Sequence, residues 1–111
     1  MMRELAMAQE RIGDLERKQG DLSAALVSYQ ALLASRAGLV KTKPDDVQLQ
    51  RDLAAAHGRL AQAYAGLSAR DNSRNEAETA RAIVLNLLKQ SPDDAALQSD
   101  LDWLNEVTTK L

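Results

Sequence analysis

The chain has 111 residues, 45% of them hydrophobic, with no Phe, five Gly and two Pro, and it is rich in Ala, Leu, Gln, Arg, Asp and Glu, which favours helices in one domain-sized unit. Fourteen basic residues are interspersed with sixteen acidic ones for a formal net charge of −2, which leaves no electrostatic footprint for a nucleic-acid backbone or an anionic membrane. Cysteine is absent, so disulfides, thiolate metal sites and Cys nucleophiles are excluded and folding rests on packing.

Five helices are predicted in chain order. Leu5, Ala8, Ile12 and Leu15 recur at helical spacing from about Glu4 to Lys18, until Gln19-Gly20 breaks the pattern. Asp21 is placed to cap a second helix. That helix carries Leu22, Ala25, Leu26, Tyr29, Leu32 and Leu33 on one stripe and continues past Gly38 to about Lys41. Pro44 stops it, because the residue before a proline is pushed out of helical space, and Asp45 or Asp46 caps the third. Leu49, Leu53, Ala56, Leu60, Ala63, Tyr64 and Leu67 mark the third helix's buried face. Ser68 to Arg74 is polar and without period, and reads as a loop about seven residues longer than the Gly20 turn. Ser73 with Glu76 then forms a capping box opening helix four, with Ala77, Ala80, Ile83, Val84, Leu87 and Leu88 inward. Pro92 closes helix four. Asp93 or Asp94 starts helix five, with Leu97, Leu101, Leu104 and Val107 on one face.

PDDVQLQRDL at Pro44 to Leu53 returns as PDDAALQSDL at Pro92 to Leu101, identical at seven of ten positions and 48 residues on. Arg51-Asp52-Leu53-Ala54 has an echo 48 residues back in Arg3-Glu4-Leu5-Ala6. A fixed period of this size is the signature of a solenoid, in which each helical pair buries its apolar face against its neighbours. The expected organisation is a single domain, 1–111: repeat one at 1–43, repeat two at 44–91, and a C-terminal capping helix at 92–111. The missing Pro-Asp-Asp lead before the first repeat points to a piece of a longer chain. The N-terminal MMRELAMAQER gains charge within three residues and reads as neither signal peptide nor membrane span, so a cytoplasmic address is expected.

Read together, AQERIGDLERKQGDLSAALVSYQALL resembles the tetratricopeptide repeat family. The resemblance rests on the aliphatic-Gly pair Ile12-Gly13, the Gly20-Asp21 turn, and Ala25 with the aromatic Tyr29 four residues on. In repeat two, Leu60-Ala61, Tyr64, Ala80, Val84 and Pro92 stand at the corresponding sites, while the Gly-Asp turn is replaced by the Ser68 to Arg74 stretch. The 48-residue period resembles a long-helix variant found in large bacterial multidomain proteins. The resemblance implies a right-handed α-solenoid of antiparallel helix pairs whose first helices line a concave, protein-binding surface. The 48-residue register aligns Met7, Ala55 and Trp103, which the resemblance puts in a row along that groove, and it lines up Glu10 with Gly58 and Glu106 and Asp14 with Gln62 and Lys110, with Arg11 and Arg59 beside them. Trp103 is either a groove anchor or a seal on the C-terminal edge against helix three or four. Arg11 and Arg59 can read a carboxylate on a partner or pair with Glu10 and Asp14. The Lys and Asn carboxylate clamp of some family members is not expected, because acidic or neutral residues stand at those places.

Motifs for chemistry are absent from the sequence. The single histidine, His57, permits no His-based metal set and reads as a helix-packing residue. Asp45-Asp46 and Asp93-Asp94 follow prolines at helix starts and read as caps; no GxxxxGK or GxGxxG is present. The expected function is therefore non-catalytic binding of a protein or peptide, without cofactor or metal. The alternatives are a spacer or self-association element and, less well supported, a small-molecule site between the helices.

Overall fold

A computed structural model describes residues 2–109, which form five α-helices and, among the described residues, no strand: α1 (Met2–Lys18), α2 (Leu22–Thr42), α3 (Val47–Gly66), α4 (Arg70–Gln90) and α5 (Ala95–Thr109). Each helix packs on the next along the chain, and α5 also reaches α3. The result is a slab of 37 × 35 × 20 Å with a radius of gyration of 13.4 Å, that of a compact domain of this length.

The 48-residue period governs the turns bond by bond. At the end of α1, Gly20 takes the left-handed conformation (φ 84°), its N–H donates to the Arg17 carbonyl (3.0 Å), and the Asp21 N–H donates to Glu16 (2.9 Å). These two bonds satisfy carbonyls that the helix end leaves orphaned. Asp21 then caps α2 by accepting from the Ala24 N–H at 3.2 Å. Forty-eight residues on, Ser68 takes the same conformation (φ 63°), donating to Ala65 (3.1 Å) while Ala69 donates to Tyr64 (2.9 Å). The expected long loop at Ser68 to Arg74 is therefore wrong. The turn matches the Gly20 turn in register, and α4 begins at Arg70 behind Ala69, which supplies no side-chain cap.

The pair-to-pair connections repeat in the same way. Asp46 accepts from the Leu49 N–H and Asp94 from the Leu97 N–H, each at 3.1 Å, so the second Asp of each pair is the cap. Gln50 Nε2 donates to the Pro44 carbonyl, and Gln98 Nε2 to that of Pro92.

Ser73, expected as a capping residue, is instead fully buried in the first turn of α4, its hydroxyl donating to the Ala61 carbonyl at 2.7 Å. It stands 48 residues after Ala25, and Ala77 stands 48 after Tyr29. Ser73 and Ala77, not Ala80 and Val84, thus occupy the places of the first pair's Ala and aromatic. The two pairs balance volume differently at this contact. A Cβ on Gly13 would lie 2.5 Å from Tyr29 Cε1, so only glycine admits the buried ring, whereas Ala61 in the same register faces the small Ala77.

One core joins α1, α2 and α3 through Ala6, Ala25, Tyr29, Leu32, Ala56, Leu60 and Ala63. A second joins α3, α4 and α5 through Ala54, Ala80, Val84, Leu87, Leu97 and Leu104. Each buried Leu, Val or Tyr contributes roughly 1.5–3 kcal/mol, and the many alanines let the helix backbones approach closely. Leu67, expected on the buried face of α3, is 40% exposed in the turn. The apolar face of α1 also departs from the pattern: Leu5, Ile12 and Leu15 are each about half exposed, and α1 faces α2 and α3 with Ala6, Gln9, Glu10, Gly13 and Asp14.

Candidate functional site

Two adjoining hollows lie over α3 and α5. The first, of about 310 Å³, is lined by Arg17, Leu22, Gln62, Ala65, Trp103, Glu106 and Val107. The second, of about 300 Å³, shares Arg17, Gln62 and Trp103 with it and adds Ala55, Arg59, Ser99 and Asp100. Five expected groove residues, Ala55, Arg59, Gln62, Trp103 and Glu106, are thereby brought together.

Trp103 stands at their junction for a steric reason. A Cβ on Gly58 would fall 2.6 Å from Cη2 of the indole and 2.9 Å from Leu104 Cδ2, so the glycine is the seat of the ring. The indole packs against both the α3–α5 core and the Ala61, Ala77 and Val107 cluster, and the Arg59 guanidinium carbon lies 5.9 Å from the indole ring centre. Cation–π contacts of this kind are worth on the order of 1 kcal/mol. Trp103 thus seals the edge of the core and lines the groove at once.

Arg59 is fixed from its other side. Its Nε donates to Asp14 Oδ1 at 3.0 Å, and its Nη1 lies 3.4 Å from Glu10 Oε2. Glu10 is shared with Arg36, whose Nη2 donates to it at 2.8 Å and whose Nη1 donates to the Asp52 carbonyl at 2.9 Å. Asp14 also accepts from the Tyr29 hydroxyl at 2.5 Å, and Arg17 Nε donates to that hydroxyl at 3.2 Å. Burial opposes ionisation of Asp14, but the hydrogen bonds from Tyr29 and Arg59 and the charges of Arg59 and Arg17 outweigh it, and its pKa falls below the ordinary 3.8. For Tyr29, burial and the hydrogen bond to Asp14 raise the phenol to about 12. The network holds the wall of the hollow at a defined position with its charges paired.

Other expected site residues sit elsewhere. Met7, 49% exposed, and Glu10 line a separate hollow of about 230 Å³ with Arg3, Ala6, Arg36, Leu39 and Asp52, so the anticipated row of Met7, Ala55 and Trp103 is divided. Arg11 is exposed; adjacent in sequence to Glu10, it projects from another side of α1, and of the two arginines it is Arg59 that pairs with Glu10 and Asp14. Lys110 lies outside the described residues. His57 packs between α3 and α4 with Nδ1 2.6 Å from Glu76 Oε2.

Nothing in the sequence marks Arg17 or Arg36 as site residues, and Leu22 is marked only as part of the apolar stripe of α2. Charged residues on an amphipathic helix are read as solvated by default, and no periodicity marks Arg36, 7% exposed, as buried. The signal that was available is the 48-residue register, which pairs Arg36 with the core residue Val84.

Among the described residues no group of three or more His, Asp or Glu converges as a metal site, and no helix is long and apolar enough to cross a membrane. No protein-family model, no curated protein and no solved structure matches the chain.

Proposed function

We propose that the chain is a non-catalytic protein-interaction module, a tetratricopeptide-like α-solenoid that takes a peptide or helix of a partner protein in the two hollows over α3 and α5. The observation that carries this reading is the placement of Trp103, partly exposed, at the junction of both hollows, with its ring seated on Gly58 and its position braced by Arg59. A rigid aromatic beside apolar Leu22, Ala65 and Val107 supplies area that a partner side chain can bury without new ordering cost, while Arg17, Gln62 and Glu106 supply polar contacts that orient the chain. The recurrence of turns and caps at 48 residues supports the helical-pair architecture. Membership in a larger bacterial protein belongs to the same reading and rests on the resemblance; a cytoplasmic address is the expectation that goes with it.

Trp103 is the sole tryptophan, so its emission reports on the hollows directly. Peptides selected from a displayed library should shift that emission on binding, and Glu106→Arg or Ala65→Arg, both at the rim, should weaken them at least ten-fold. Peptides that bind while leaving both Trp103 emission and the rim variants unaffected would place the site elsewhere.

A further inference from the structure

Leu5, Ile12 and Leu15 on α1 are 51, 52 and 57% exposed, and Ala8 between them is exposed as well. Three of their counterparts 48 residues on, Ala56, Leu60 and Ala63 of α3, are buried in the core shared with Tyr29 and Leu32 of α2. On α5 the counterparts Leu101 and Leu104 pack in the core shared with Val84 and Leu87 of α4. The same helix face thus receives a helix in both later units and is open on α1. The surface beside it is apolar too. Ser28 of α2 donates to Glu16 at 2.6 Å; its chain neighbour Val27 is 65% exposed, and Ala31 on the next turn is exposed as well. The register counterparts of Val27 and Ala31 on α4 are Asn75 and Thr79, polar residues exposed to water.

The four α1 residues are spaced by three, four and three, the seam of a helix that packs along another helix at low angle. We propose that this face is the docking site for a second copy of the chain, the two α1 helices running antiparallel across a two-fold axis. Antiparallel pairing sets Leu5 against the partner's Leu15 and Ala8 against the partner's Ile12, so that small faces large. A parallel pair would set Ala8 against Ala8 and leave a gap. The same pairing brings Glu4 beside the partner's Lys18 at both ends, a complementary pair, while each Arg11 meets its own copy near the axis, a like-charge contact that opposes association and keeps the dimer weak. Head-to-tail stacking does not fit, because α5 turns Asp102, Asn105, Glu106 and Thr109 outward. A face about 25 Å long and about 20 Å wide offers roughly 500 Å² per copy, about 1,000 Å² per pair, where specific interfaces begin. The dimer is accordingly reversible and concentration-dependent. The face lies away from the hollows over α3 and α5, so this inference and the groove reading stand or fall separately.

The test is sedimentation of the 111-residue chain from about 1 µM to about 1 mM, with Ile12→Arg on the face and Leu85→Arg, 42% exposed on α4, as control. Circular dichroism confirms that both variants remain helical, as surface substitutions should. The expected result is a monomer–dimer equilibrium unchanged by Leu85→Arg and weakened at least ten-fold by Ile12→Arg. Because the chain has no cysteine, Arg11→Cys supplies a single thiol, and mild oxidation should give a covalent dimer that Ile12→Arg suppresses. A monomer at every concentration overturns the proposal. A dimer that survives Ile12→Arg overturns it as well.

Discussion

Gly13→Ala exposes the packing logic of the first pair, because two opposing effects of similar size meet at one methyl group. In a helix interior Ala is favoured over Gly by about 1 kcal/mol. Against this, the new Cβ would lie 2.5 Å from Tyr29 Cε1 and 2.7 Å from Cδ1, where carbon atoms rest at about 3.5–4.0 Å. The ring, fully buried and bonded through its hydroxyl to Asp14 and Arg17, has to retreat by about 1 Å. Overpacking at roughly 1–3 kcal/mol and a weakened charge-assisted hydrogen bond at roughly 1.5–3 kcal/mol exceed the propensity gain. The net expectation is a loss of about 2–3 kcal/mol, a fall in Tm of about 10 °C. In a Tyr29→Ala background, which recreates the Ala61 and Ala77 contact of the second pair, the same substitution should stabilise by about 1 kcal/mol. Urea unfolding of the four proteins in a common stabilising osmolyte measures the cycle, since Tyr29→Ala alone removes about 3–5 kcal/mol. A neutral or stabilising Gly13→Ala in the wild-type background, or an equal loss in both backgrounds, would refute the reasoning.

Gly38→Ala meets only Met2 Cε at 3.5 Å and should stabilise by about 0.5–1 kcal/mol in the same assay. Ser68→Gly should also stabilise, by up to about 1 kcal/mol, because Ser68 holds φ 63° where glycine carries no Cβ penalty; a destabilised variant would contradict the assignment of this turn. Tyr29, neutral in the fold up to about pH 12, ionises near 10 in the unfolded chain, so its contribution is fully present below pH 10. Between pH 10 and 12 about 2 kcal/mol should be lost, and Tyr29→Phe should remove that dependence. Asp14 behaves oppositely: with its folded pKa below 3.8, its contribution is present above that value and disappears as pH falls further, a loss that Asp14→Asn should abolish in acid titrations followed by circular dichroism.

Periodicity in the sequence is enough to place α1, α2, α3 and α5, and Asp21 and Asp46 are recognisable as caps because carboxylates at helix starts have a defined job. The start of α4 is not recognisable that way: Arg70 to Glu76 is polar with no apolar period, and its left-handed turn residue is Ser68 in place of glycine. Only the 48-residue register, which sets Ser68 on Gly20, identifies the turn. Periodicity likewise shows that α1 has an apolar face and says nothing of whether that face is covered. The polar wall of the candidate site was least accessible, since Glu10, Asp14, Arg36 and Arg59 meet only after three helices have packed. Gly58 did leave a trace, a glycine between two glutamates in the register, which marks the close approach that Trp103 fills.

The measurement that bears most directly on the proposed function is capture of a partner from the source cell's lysate by the wild-type domain beside Glu106→Arg, followed by titration of that partner against Trp103 emission. The account predicts a protein held by the wild type, lost by the variant, and shifting the emission of the single tryptophan with saturation. A captured protein that binds both forms equally and leaves Trp103 emission unchanged would contradict it.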